Sequence, residues 1–247
     1  MNPILLNCDM GEGFGAWRMG DDALAMPLID QANLACGFHA GDPLIMARSV
    51  ELAVAHGLSI GAHPSYPDLQ GFGRRHLQCS AEEVRALVLY QIGALDAFCR
   101  AAGGQLAYVK PHGALYNDLV RDDALLMAVL DACHCYRKGL PLMVLALADN
   151  DRELRLADEA DVPLMFEAFA DRDYLSDGQL APRRLSGAVH QDPERILAQA
   201  LAIARGEPFA DIDGKPLRLR ADSLFVHGDN PESLAVLRRL RARLDAL

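Results

Sequence analysis

A chain of 247 residues, 51% hydrophobic and 23% charged, is long enough to bury a sizeable core and short enough to form one domain. Its formal charge of −10 at pH 7 argues against nucleic acid as a partner, because phosphate backbones are met by basic faces. No basic amphipathic helix suits a membrane surface, no apolar run reaches bilayer length, and no basic or long apolar leader precedes Ile4-Leu5-Leu6-Asn7-Cys8-Asp9. With six cysteines that lack CxxC spacing, a cytoplasmic protein with reduced thiols is expected.

Strand candidates alternate with helical patterns along the chain, as in parallel βα units. Seven apolar runs qualify: Ile4–Cys8, Ala32–Cys36, Leu58–Ala62, Leu106–Val109, Leu142–Leu147, Leu164–Ala168 and Leu224–Val226. They are short and mostly apolar on both faces, as in a parallel sheet covered on both sides. Asp42 caps a helix with Pro43 at its first position, running to His56-Gly57. Ser80-Ala81-Glu82-Glu83 is a capping box ahead of Val84, Leu87, Val88, Gln91, Ile92, Leu95 and Phe98 at helical spacing, and Gly103-Gly104 ends that helix. Further helices are expected from about Asp123 to Tyr136, near Asp151 to Glu159, and after Asp192-Pro193 and Asn230-Pro231. Between the last two, Asp211 to Pro216 reads as the turn of an added β-hairpin. No repeat, linker or low-complexity stretch divides the chain, so residues 1–247 are expected to form a single domain. So many βα units can close into a barrel or stay open as a doubly wound sheet, and either places chemistry at the C-terminal strand ends.

The residues that could do chemistry do follow the strands. After the first come Asp9 and Glu12. Gly11-x-Gly13-x-x-Ala16 matches a dinucleotide fingerprint only formally, since those two acids would repel a pyrophosphate. Asp9 reads as a metal ligand or general base, or else as a turn cap. His39 follows the second strand among glycines that permit close approach of a ligand, whereas Asp42 is a cap. His63 follows the third and opens a long Pro- and Gly-rich loop ending in Arg74-Arg75, which could hold a carboxylate or phosphate, or could be a solvated pair.

Lys110 and His112 follow the fourth strand two positions apart, hence on one face of an extended chain. Burying both is costly unless something uses them, and a lysine among cations could have a lowered pKa and move protons. Glu167, Asp171 and Arg172 lie at or after the sixth strand, and His227 with Asp229 follows the seventh. Any one of these could be a polar residue leaving a strand. Their recurrence points to one convergent site. A rim of His, Asp and Glu also suits a divalent metal, with Asp9, His39 and His63 as candidate ligands. There is no Gly-x-Ser-x-Gly elbow, Walker A sequence or kinase-type glycine loop, so ATP, if used, would be bound by another chain.

Several stretches, in order and over nearly the whole chain, resemble the LamB/YcsF family. They are Asn7-Cys8-Asp9-Met10-Gly11-Glu12, Ala32 to Pro43, Gly61-Ala62-His63-Pro64-Ser65-Tyr66-Pro67-Asp68, and Gly71-Phe72-Gly73-Arg74-Arg75. Val109-Lys110-Pro111-His112-Gly113-Ala114-Leu115-Tyr116-Asn117, Phe169-Ala170-Asp171-Arg172 and Val226-His227-Gly228-Asp229 complete the set. Ala146 to Asn150 departs from the Gly-Ser pair that relatives usually carry after strand five.

The resemblance implies a distorted seven-stranded (β/α) barrel like that of polysaccharide deacetylases. It also implies ATP-dependent opening of 5-oxoproline to L-glutamate with two partners, 5-oxoprolinase subunits B and C. On that reading Asp9, Glu12, His39, His63, Lys110, His112 and His227 form the catalytic set. Arg74, Arg75, Glu167, Arg172 and Asp229 would bind substrate. Two alternatives stay open: a stand-alone metal-dependent deacetylase or amidohydrolase, and a non-catalytic component that only binds the small molecule.

Overall fold

A computed structural model describes residues 4–228 and 231–246. Parallel strands β1 (Leu5–Met10), β2 (Gln31–Ala35), β3 (Ser59–His63), β4 (Leu106–Val109), β5 (Leu142–Leu145), β6 (Leu164–Phe169) and β9 (Ser223–Phe225) close into a seven-stranded barrel in that order, β9 pairing with both β6 and β1. Helices α1 (Asp22–Ala25), α2 (Pro43–Ala55), α3 (Ala81–Ala101), α4 (Gly113–Leu119), α5 (Asp123–Tyr136), α6 (Asp151–Glu159), α7 (Pro193–Ala204) and α8 (Pro231–Leu244) make the connections. Short strands β7 (Phe209–Ala210) and β8 (Pro216–Leu217) form the expected antiparallel hairpin. Among the described residues, no helix is long and apolar enough to cross a membrane.

The helix signals operate as their chemistry dictates. Asp42 accepts from the N–H groups of Leu44 and Ile45, and Ser80 and Glu83 form a reciprocal capping box. β5 stops two residues early because the Asn150 side chain takes the Leu147 N–H and donates to the Leu145 carbonyl, turning the chain there. The Asn230 cap lies outside the described residues.

The strand faces differ from the expected doubly apolar pattern. Outward-facing Leu6, Leu34, Ile60 and Leu224 join Val50, Ile92, Val129 and Leu237 of the helices in one hydrophobic cluster. The inner face of β1 and β2, joined by Ser223 of β9, is polar instead. Asn7 donates to Ser223 (2.7 Å), Ser223 to Gln31 (2.6 Å), Asn33 to Asn7 (2.8 Å) and Tyr108 to Asn33 (2.6 Å). Each of these five side chains finds a partner, so burial there is tolerated. Gly61 admits the Tyr108 ring, since a Cβ at that position would lie 2.2 Å from it.

Candidate active site

Lys110 leaves the end of β4 with its N–H bonded to the Ala62 carbonyl (2.8 Å), which fixes the side chain inward. Its buried ammonium meets Asp9 Oδ1 and Glu167 Oε1 at 2.9 Å each and sits 4.0 Å from the centre of the Phe225 ring. Asn33 also donates to Asp9 Oδ1 (2.9 Å), and Tyr116 donates its hydroxyl to Glu167 Oε2 (2.8 Å). Burial alone would lower the lysine's pKa, but Asp9 and Glu167 outweigh it and raise it above the ordinary value. This corrects the expectation of a lysine among cations. Lys110 is a fixed positive charge, not a base. Burial likewise pushes Asp9 up, yet His63 and Lys110 overcome it and hold its carboxyl well below the usual range.

Beside this charged floor stands a wall of imidazoles. A carbonyl oxygen only accepts, so His63 Nδ1 donates to the Lys110 carbonyl (2.7 Å) and His112 Nε2 to the Phe72 carbonyl (2.9 Å). His63 Nε2 and His112 Nδ1 are left facing each other at 2.9 Å. His39 stacks on His112 with centroids 3.8 Å apart and lies 3.0 Å from Glu12 Oε1 through Nε2. Burial, reinforced by the neighbouring imidazoles, keeps His39 and His112 well below the usual histidine value. Burial also raises the Glu12 carboxyl. Gly73 (φ +64°) presses the loop onto this wall: a Cβ there would come within 2.7 Å of the His112 ring. The ligand atoms of Glu12, His39, His63 and His112 lie within 4.8 Å of one another, a group able to hold a metal ion. The expected set changes accordingly. Of the expected candidates, His39 and His63 belong to this group together with Glu12 and His112; Asp9 lies beside it, its Oδ1 engaged by Lys110 and Asn33 and its Oδ2 3.3 Å from His63 Nε2.

A third group comes from the ends of β6 and β9. Asp171 Oδ2 accepts a short bond from His227 Nδ1 and a second from the His227 N–H (3.2 Å), leaving Nε2 toward Arg183 at 3.3 Å. Burial opposes charge on His227, but Asp171 prevails and raises its pKa.

Asp9, His63, Lys110, His112 and His227 all line one cavity of about 400 Å³, which also exposes Arg74, Arg121, Arg172, Arg183 and Arg184. Arg172 donates to the Ala188 and Ala181 carbonyls (3.1 and 2.6 Å), and burial lowers it to about 10. Arg75 does not line this cavity. It reaches back from a side chain 61% exposed to pair with the buried Asp68 carboxylate. His39 and Glu12 stand behind His112 and outside the cavity lining, and Asp229 lies outside the described residues. Sequence reasoning missed Tyr116 and the Asn7–Asn33–Tyr108 chain, whose signal was a polar residue at every second position of β1 and β2.

A closed parallel barrel with its ionisable groups gathered at the C-terminal strand ends is the enzyme-bearing type of (β/α) barrel. The chain belongs to the LamB/YcsF family, whose sequence model matches residues 4–247. It is 82% identical over 244 residues, 99% of this chain and 97% of the other, to a Pseudomonas aeruginosa protein that carries the name of a 5-oxoprolinase A subunit. It is 59% identical to a 5-oxoprolinase A subunit of Pseudomonas putida, covering 99% of this chain and 95% of that one. The crystal structure of a lactam utilization protein from Thermus thermophilus superposes with a TM-score of 0.91 at 44% identity, over 98% of this chain and 96% of its own.

Proposed function

We propose that this chain is the A component of an ATP-dependent 5-oxoprolinase, an amidohydrolase that opens 5-oxoproline to L-glutamate together with subunits B and C, which bind the ATP. Relatives that bear that name over nearly their full length support the reading. The observation that carries it is the Lys110 ammonium, clamped between two carboxylates in the same arginine-lined cavity as an aspartate-held histidine. The chain acts as one domain, residues 1–247, and its thiol cysteines suit the cytoplasm.

A lactam resists water because its nitrogen lone pair is delocalised into the carbonyl. Phosphoryl transfer from ATP to the lactam oxygen on the partner subunits withdraws that density. Water then adds to the ring carbon and gives a proton to His227 Nε2. The ring C–N bond breaks, and the nitrogen takes that proton. A second water releases phosphate, so one ATP and two waters yield glutamate, ADP and phosphate. Lys110 stabilises the charge that develops on oxygen, and Asp171 keeps His227 in the tautomer a base needs. Arg74, at the cavity wall, pairs with the substrate carboxylate. Arg172, with donors already on two carbonyls, shapes the wall.

Reconstitution with subunits B and C tests this by glutamate release from 5-oxoproline. Release should require ATP and all three chains. Wild-type turnover by K110M would remove Lys110 from this scheme, and ring opening by this chain alone without ATP would sink the assignment.

A further inference from the structure

The facing nitrogens of His63 and His112 lie 2.9 Å apart, and each ring is anchored through its other nitrogen to a carbonyl. Neither ring can turn away without losing that bond, and two lone pairs at this distance repel unless a cation lies between them. Glu12 Oε1 stands 3.5 Å from the same His112 nitrogen, and Asp9 Oδ2 3.3 Å from His63 Nε2, so carboxylates flank the pair on both sides. We propose that His63 Nε2, His112 Nδ1 and Glu12 bind one divalent transition metal ion, zinc by preference, with His39 positioning Glu12.

The donor set selects the ion. Two imidazoles and a carboxylate suit zinc-type metals, and three protein ligands leave a coordination position open, as in catalytic zinc sites. Zinc-bound atoms about 2.0–2.1 Å from the ion stand roughly 3.3 Å apart in a tetrahedron, close to the spacings here. Anchoring the far nitrogen of a histidine on a carbonyl is also how metal-binding imidazoles are held.

His39 is assigned a different part. Its ring is parallel to that of His112 within 4° at 3.8 Å, so their in-plane lone pairs run side by side and one ion cannot lie in both planes. The Ser65 hydroxyl donates to the Tyr66 carbonyl (2.8 Å), so His39 Nδ1 donates to Ser65 Oγ (3.1 Å), and this fixed ring sets its Nε2 3.0 Å from Glu12 Oε1. His63 and His112 line the 400 Å³ cavity, so the open position belongs on its side of the cluster. There the ion would polarise the lactam oxygen or acidify water. That use rests on the function proposed above, but the binding does not.

The test is made on the isolated chain without substrate. EDTA-stripped wild-type protein is titrated with Zn²⁺ by calorimetry and, separately, with Co²⁺ while visible absorption is followed. One tight ion per chain and an intense tetrahedral cobalt band are expected. H63Q, H112Q and E12Q should lose the band, H39Q should weaken affinity by about 10–100-fold, and H227Q should bind as wild type does. The cobalt spectrum of the unaltered chain decides the matter even where a variant fails to fold. No band and no zinc uptake would leave a proton as the cation between His63 and His112 and end the proposal. Equal binding by every variant, or loss in H227Q, would place the ion elsewhere and end it too. Glutamate release by the three-chain complex is scored separately, so a chain that takes up no zinc yet supports turnover overturns this inference and leaves the function standing.

Discussion

Lys110 and His112 leave the same strand two residues apart and arrive in opposite electrostatic company. The lysine is enclosed by Asp9, Glu167 and an aromatic face, so it stays charged. The histidine is enclosed by two other imidazoles, so burial keeps it neutral with a lone pair directed at a neighbour. On the function proposed above, one region would stabilise charge that appears on a substrate, whereas the other offers electron pairs. Shared basicity in the sequence thus conceals a division of labour that only the partners reveal.

The sharpest break in that contrast is K110M. It leaves Asp9 and Glu167 buried without their cation, and uncompensated buried charge costs about 3–5 kcal/mol of stability. Loss of a stabiliser of the developing oxyanion should also cut turnover by about 10²–10³. Denaturant unfolding and steady-state glutamate release read the two effects. Adding E167Q to K110M should recover part of the stability and none of the rate. If the double variant is no more stable than the single one, the ion pair is not what holds the floor together.

His227 offers the next test, because it is the imidazole set beside a carboxylate and apart from the wall. Its pKa is raised in spite of burial, and a base works only when deprotonated. The acid limb of kcat/KM should therefore fall above the ordinary histidine value of about 6.5. D171N removes the cause of the rise and leaves burial, which favours the neutral ring, so the limb should move to lower pH as kcat falls. H227Q should abolish the limb and lower kcat by about 10²–10⁴. A limb unmoved in D171N would assign the titration to another group.

What the sequence makes legible, and what it conceals, follows from the same contrast. Period-two spacing and the Pro-Gly stop place Lys110 and His112 on one face at a strand end. Alternation of strands and helices foresees all seven barrel strands, though it carries β5 two residues too far. Spacing does not say which partner a side chain meets from another strand. Spacing therefore offers Asp9, His39 and His63 as metal ligands without showing that Glu12 lies among the imidazoles, and nothing near Tyr116 announces Glu167, 51 positions away. The polar inner face of β1 and β2 is visible as alternating Asn7 and Asp9, Gln31 and Asn33. It is masked by the apolar residues between them, which belong to the outer face.

The two adjacent arginines give the smallest effects and the clearest internal control. Arg74 lines the cavity and its guanidinium stands 5.1 Å from the centre of the Phe72 ring, whereas Arg75 is bound to Asp68 and largely in solvent. A charge-assisted pair with the substrate carboxylate is worth about 1.5–3 kcal/mol, so R74A should raise KM by roughly 10–100-fold with a smaller change in kcat. R75A should leave KM within about twofold of wild type, as surface substitutions do. The arginines are adjacent in the sequence, so general loss of positive charge from the loop would affect both variants alike. Equal KM values for the two variants would show that the carboxylate is held by the loop's charge as a whole, and not by the one guanidinium that lines the cavity.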